Sequence, residues 1–183
     1  MTRYDHAALE RLIDGVAPYW KGAPLGRAVT LRELGASGAD ALSLPLPLLL
    51  LKEPALAHNI ARMAAYAEAQ DALLAPHVKT TMSPEIARRQ LDAGAWAVTV
   101  ANPAQAAALS DVGARRVVVA NEVVDAAGIA VLSTIPDDVE VLVWVDSVDA
   151  VTRLDAATGR RLDVLALIPT AVVMDTPRPR PKR

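Results

Sequence analysis

The sequence predicts an α/β protein in which parallel strands alternate with helices. Three observations predict it. From residue 45 onward, apolar runs of four to seven residues alternate with helical patterns of ten to sixteen. Proline or a short polar residue opens several of those helices, and glycine closes three. Apolar residues make up 52% of the chain and charged residues 22%, a globular balance. Strand–helix alternation implies right-handed crossovers, so the architecture is a doubly wound sheet or a barrel. No G-x-G-x-x-G follows any of the runs, which leaves a dinucleotide-binding reading without its signature. At 183 residues the chain is one domain, or one domain with an appendage. It is short for an eight-unit barrel, which typically takes ~250 residues.

The elements follow in order. Residues 1–44 read as a helical lead-in. Leu9, Leu12, Ile13 and Val16 fall at i, i+3, i+4 and i+7, the spacing of one short amphipathic helix. Gly22, Pro24, Gly26, Gly35 and Gly38 then mark a breaker-rich stretch. Strands are expected at 47–51, 72–78, 96–101, 116–120, 139–145 and 162–168. Helices are expected between them at 54–69, 84–93, 103–112, 125–135 and 147–158. In the first helix Leu56, Ile60, Met63 and Ala67 make one face. Pro54, Pro84 and Pro103 stand at first helical positions, and Ser83 and Asn102 are N-caps. Asp146-Ser147 opens the fifth helix, with Asp146 itself a candidate cap, and Gly94, Gly113 and Gly159 close the second, third and fifth. After Leu167 the text changes. No glycine follows Gly159, and prolines stand at 169, 177, 179 and 181. Residues 45–168 therefore read as the folded body and 169–183 as a disordered Pro/Arg tail.

Composition excludes several function classes. Net charge is −2, from 19 basic and 21 acidic residues. Four of the basic groups fall in the last six residues; taking them away leaves 15 basic against 21 acidic, net −6. An acidic body argues against nucleic-acid binding. No apolar run approaches the ~20 residues of a membrane span, and no secretory leader is visible. Zero cysteines exclude disulfides and cysteine-ligated metal clusters, and fit a cytoplasmic protein.

Chemistry concentrates at one lysine. The chain has four: Lys21, Lys52, Lys79 and Lys182. Lys79 alone follows an expected strand and precedes a capped helix, where parallel α/β folds place their sites. Desolvation by barrel walls there would favour the neutral amine that Schiff-base chemistry needs. Thr80, Thr81 and Ser83 add hydroxyls around it.

The segment Leu74-Ala75-Pro76-His77-Val78-Lys79-Thr80-Thr81-Met82-Ser83-Pro84-Glu85 resembles the cofactor-lysine segment of the D-threonine aldolase and D-serine dehydratase group. These are pyridoxal 5′-phosphate (PLP) enzymes of fold type III, related to the alanine racemase N-terminal domain, and the nearest flavour is the amino-acid deaminase/aldolase-like branch. Ala57-His58-Asn59-Ile60, the stretch from Leu91 through Ala101, and the stretch from Arg115 through Val124 resemble the flanking elements in order and spacing. The resemblance spans about residues 45–165.

It implies a PLP-binding (β/α)8 barrel of TIM type, of which about five of eight strands are present, with the C-terminal β-domain missing. It implies that Lys79 carries PLP as a Schiff base and acts as a base at a substrate's α-carbon. His77, two residues earlier, would point the same way as Lys79 and contact the cofactor ring; the alternative is a histidine packed in the barrel interior. Thr81 and Asn121 are the further cofactor contacts. Thr99 and Asp146 are weaker candidates at strand ends, and His58 reads as a helix-surface residue. The family's phosphate-binding loops follow later strands, and its divalent metal is held by a histidine with a cysteine or aspartate of the second domain. No metal ligand set is expected here, since His6, His58 and His77 are scattered.

The expected function is that of a PLP-dependent lyase for small D-hydroxyamino acids, inactive or impaired in a chain that looks C-terminally truncated, its text breaking after Leu165 as at a reading-frame change. A non-catalytic PLP-binding protein is one alternative. An interaction module built on the basic Pro-rich tail is the other. An open partial barrel exposes strand edges and apolar faces, which implies homodimerisation or aggregation.

Overall fold

A computed structural model of the chain describes residues 30–159 and 162–166. The lead-in helix expected around 9–16 and the tail at 169–183 lie outside them. The chain divides into two compact units, residues 1–98 with 111–114 and residues 99–110 with 115–183. Each is described by itself.

In the first unit, helix α1 spans Leu31–Ala36. A capping box starts it: the Glu33 N–H donates to Thr30 Oγ1 at 3.0 Å, and the Thr30 N–H donates to Glu33 Oε2 at 2.8 Å. A single 3₁₀ turn, Ala41–Ser43, follows, capped by Asp40. The run 47–51, expected as a strand, forms none. Pro45 and Pro47 carry no N–H to donate to a ladder. Leu46, Leu49, Leu50 and Leu51 are all exposed. Helix α2, Glu53–Ala69, has Pro54 in its first turn. Of its apolar face only Ala67 is buried.

The segment 72–78 also differs from expectation. It is extended but has one bridge residue, His77, rather than a ladder. Pro76 removes a donor. The Trp96 N–H donates to the Leu74 carbonyl at 2.8 Å and ties the segment to the residues before β1. Helix α3, Pro84–Asp92, follows with Ser83 as its cap.

The sheet has four strands in the order β1-β2-β3-β4, namely Val98–Val100, Arg116–Glu122, Glu140–Val145 and Asp163–Ala166. Apart from Val98 it belongs to the second unit. Sequence order equals spatial order, so each helix carries the chain to the next strand, as in part of a (β/α)8 barrel. Strands β2 and β3 pair in parallel from Arg116↔Glu140 to Val119↔Val143, and β3 pairs in parallel with β4 from Leu142↔Asp163 to Val145↔Ala166. Successive residues Val117, Val118 and Val119, and likewise Val141, Leu142 and Val143, are buried. Burial of both strand faces explains why these runs read as unbroken hydrophobic text.

Helices α4 (Pro103–Asp111), α5 (Ala126–Thr134) and α6 (Val148–Thr158) begin as the sequence predicts, each with a polar cap. Asn102 Oδ1 accepts from the Gln105 N–H at 3.0 Å, and Asp125 Oδ1 accepts from the Gly128 N–H at 2.7 Å. For α6 the cap is Ser147, whose hydroxyl accepts from the Ala150 N–H at 3.3 Å; Asp146 is not the cap. Gly159 ends α6 at φ +59°, the left-handed conformation that favours glycine.

Leu132 of α5 is completely buried, whereas Val148 at the start of α6 is 81% exposed. Leu132→Ala is expected to destabilise by about 2–5 kcal/mol, and Val148→Ala by less than about 0.5 kcal/mol. Urea unfolding followed by circular dichroism measures both.

Candidate active site

The Lys79 region is built around one buried side chain. Val78 is 2% exposed, while His77 and Lys79 on either side of it are exposed. His77 belongs to the extended segment, and Lys79 already stands in the turn that follows it. The shared direction expected for the pair assumes an extended backbone, which ends before Lys79. The exposure of both differs from a histidine packed in the barrel interior and from a lysine desolvated by surrounding walls.

The chain turns immediately after Lys79. The Met82 N–H donates to the Val78 carbonyl at 2.8 Å, closing the loop. Thr81 Oγ1 donates to the same carbonyl at 3.5 Å and accepts from the Ser83 N–H at 3.4 Å. Met82 sits at φ +44°, in a region rarely adopted by side chains larger than glycine's hydrogen. No sequence signal marks that position. Ser83 then caps α3, its Oγ accepting from the Ile86 N–H at 3.3 Å. The turn thus delivers Lys79 to the N-terminal end of α3.

An ion-pair cluster holds that helix end. Arg88 reaches Glu85 at 2.6 Å and Asp92 at 2.7 Å. Arg89 reaches Glu85 at 3.2 Å and Glu53, at the start of α2, at 2.5 Å. The hydrogen bond from Arg88 is the main reason the Glu85 carboxyl lies below its ordinary value; burial opposes the shift, and Arg89 assists it. The same bond raises Arg88. The i, i+3 and i, i+4 spacings of Glu85, Arg88, Arg89 and Asp92 carry a legible signal for this cluster.

The other predicted residues stand elsewhere. Thr99 is buried inside β1, at 5% exposure. Asn121 lies in the second unit near the end of β2, exposed, where pairing with β3 is interrupted between Val119 and Glu122. A bulge at that place re-aims the strand's side chains. Its Oδ1 accepts from the Glu122 N–H at 3.1 Å. Asp146 is exposed just after β3, and His58 is exposed on α2, as predicted. Lys79, His77 and Thr81 are therefore together in one turn of the first unit, and Asn121 belongs to the second. Among the described residues no group of three or more His, Cys, Asp or Glu side chains is arranged to hold a metal ion. No helix among them is long and apolar enough to cross a membrane.

No family model matches the chain. A D-threonine aldolase from Arthrobacter sp. is 29% identical over 162 residues, covering 85% of this chain. The crystal structure of D-threonine aldolase from Filomicrobium marinum superposes with a TM-score of 0.65 at 29% identity, over 69% of this chain. The chain is homologous to D-threonine aldolase. A second solved homologue is a D-threo-3-hydroxyaspartate dehydratase, a cysteine-to-alanine mutant in the metal-free form, with a TM-score of 0.60 at 27% identity over 69% of this chain. The chain spans 38% of the length of the curated homologue and 35% and 34% of the two solved ones. These superpositions support the reading of the fold as part of a barrel of that type.

The Glu85 cluster has a pH signature. A carboxyl lowered in the folded state contributes stability above its unfolded pKa, ordinarily 4.5, and loses it as pH falls through the lower folded value. Stability is expected to fall with pH below about 4.5. Glu85→Gln should remove that part of the dependence. The Glu85 side chain is 41% exposed, so the effect at pH 7 is expected to stay under about 1 kcal/mol. Chemical denaturation of both proteins from pH 7 to pH 3 checks it.

Proposed function

We propose that this chain is part of a PLP-dependent lyase for small D-hydroxyamino acids, of D-threonine aldolase or D-serine dehydratase type, with Lys79 as the cofactor lysine. The observation that carries the reading is the Lys79 turn itself, found in a homologue of D-threonine aldolase. The donor set fits. Lys79 presents a primary amine that forms no ion pair among the described residues, at the start of a turn closed by backbone bonds. His77, two residues earlier and also exposed, offers a ring nitrogen that donates or accepts. Thr81 spends its hydroxyl on the turn, so its part is to shape the loop more than to touch a ring. Asn121 stays in the reading as a polar contact on the sequence resemblance alone.

Bound there, PLP supplies an electron sink for the α-carbon of an amino acid. What the chain's own residues contribute is narrower. The Lys79 amine holds the cofactor and exchanges a proton at the substrate's α-carbon. The Val78–Met82 bond fixes where that amine emerges, and the Ser83 cap with the Glu85 cluster fixes the helix behind it. The divalent metal of the family is not provided for by the described residues, and the chain contains no cysteine.

The protein in this reading acts on small D-hydroxyamino acids such as D-threonine and D-serine. It is read as cytoplasmic, without nucleic-acid or membrane partners. The exposed Val164 and Leu165 of β4 support self-association through that edge. A second reading, a non-catalytic PLP-binding protein, is favoured by the exposure of Lys79, because water reaches an amine that a lyase would enclose.

Incubation with PLP followed by borohydride reduction and peptide mass mapping tests the common core of both readings. Covalent label on the Lys79 peptide, absent in Lys79→Ala, is the expected result. Folded protein that takes no label would overturn it. Assay of ammonia or aldehyde release from D-serine or D-threonine then separates the lyase from the carrier.

A further inference from the structure

Strand β2 does not end as it begins. From Arg116 to Val119 it pairs residue by residue with β3, but the residue beside Trp144 is Glu122 and not Ala120. Ala120 and Asn121 are the extra residues of the bulge, and Asn121 Oδ1 accepts the Glu122 N–H at 3.1 Å. An unbroken ladder would set the methyl group of Ala120 beside Trp144. The bulge sets a carboxylate there instead.

Partners across a parallel ladder share a face, on strands ~4.8 Å apart. Trp144 is in turn the partner of Leu165 on β4. Glu122, Trp144 and Leu165 therefore form one row across three strands of the second unit. The alternate residues Val141, Val143 and Val145 are buried, as is Leu142, one step earlier on the face of the row. Glu122 and Trp144 are half-buried and Leu165 is exposed, so the row is where that face opens to water. Among the described residues the Glu122 carboxylate and the Trp144 indole have no hydrogen bond, ion pair or ring contact.

A carboxylate beside an indole suits one kind of group best. A guanidinium is planar, presents a fork of N–H donors that matches a carboxylate, and stacks on an aromatic face. The indole attracts its charge as well as its plane, and tryptophan is the strongest of the aromatic side chains at this. A neutral group of the same shape keeps the stacking and loses both electrostatic contributions.

We propose that Glu122 and Trp144 form a binding site for a guanidinium group, its N–H groups donating to the Glu122 carboxylate and its plane lying on the Trp144 indole. The site lies within the second unit, and it stands whether or not Lys79 binds PLP. Two sources of the group fit. One is another molecule. The other is Arg178, Arg180 or Arg183 of this chain. They follow Ala166, whose partner on β3 is Val145, next to Trp144. At ~3.3 Å per extended residue the intervening chain is long enough to return there.

Titration of the full chain with methylguanidinium and with methylurea at constant ionic strength tests it, followed by the Trp144 indole and the Glu122 and Val145 amide resonances. Saturable shifts are expected with methylguanidinium, and binding of methylurea at least about tenfold weaker. Glu122→Gln, which keeps the shape, is expected to weaken methylguanidinium about tenfold. Trp144→Leu is expected to weaken it about threefold, read at the two amides. Circular dichroism confirms that the variants are folded, and Trp144→Phe replaces Trp144→Leu if the latter is not. The same titration of a chain carrying Arg178→Gln, Arg180→Gln and Arg183→Gln separates the sources. Tighter binding of methylguanidinium by that variant makes the chain's own arginines the occupant. Equal binding makes the occupant another molecule, and the site stands in both cases. No saturable shift in either chain would overturn the proposal, as would equal binding of methylguanidinium and methylurea, or binding unchanged by Glu122→Gln.

Discussion

The Lys79 region depends on the burial of Val78. One apolar side chain, nearly excluded from water, sets the phase of the extended segment. Its neighbours His77 and Lys79 are both exposed. Its carbonyl also closes the loop through the Met82 N–H and Thr81 Oγ1. Side chain and main chain of the same residue thus fix what is buried and the place where the chain turns. Rotation of the segment by one residue would bury His77 or Lys79 and expose the valine. That exchange removes apolar surface worth about 1.5–3 kcal/mol from the interior and puts a charge in its place. The arrangement is therefore well determined, although the segment has almost no ladder.

The packing of the two units follows from their sequences in different ways. In the second unit β2 and β3 bury successive valines on both faces, and α5 and α6 add Ile129, Leu132, Ala150 and Leu154. In the first, helix α2 has a well-formed apolar face of which only Ala67 is buried. Amphipathic spacing states which side of a helix is apolar; it does not state how much of that side is covered. The exposed leucines at 46–51 make the same point for an apolar run.

This is also where the sequence was and was not legible. Helix positions were readable within a residue or two, because Ser83, Asn102, Asp125 and Gly159 act locally and their hydrogen bonds are those expected of caps. Strands β2, β3 and β4 were readable from their apolar runs. The runs 47–51 and 72–78 misled, since periodicity counts apolar residues and not donors, and Pro45, Pro47 and Pro76 each remove one. Helix α1 went unread among glycines, although Thr30 and Glu33 carry the spacing of a capping box. For the site, Lys79 was legible as a residue standing just before a Ser83-capped helix. Its exposure was not, because exposure depends on residues distant in sequence. The positive φ of Met82 leaves no trace in composition at all.

Met82 connects that illegible feature to the proposed chemistry. A bulky residue in the left-handed region carries backbone strain of the order of 1–3 kcal/mol, and it persists only where its surroundings determine it. Here they do. The Met82 N–H is held by the Val78 carbonyl, and the next residue, Ser83, is held by the first turn of α3. Glu85, Arg88 and Arg89 anchor that turn to Glu53 on α2. The strain sits between two fixed ends, three residues after the lysine. A relaxed, glycine-like turn would reach the same end points with more freedom and would let Lys79 wander. A long, flexible lysine side chain gains most from a backbone that cannot move. The exposed amine of Lys79 is thus free in its side chain and constrained at its Cα, which is the combination that an anchoring residue for a small cofactor requires.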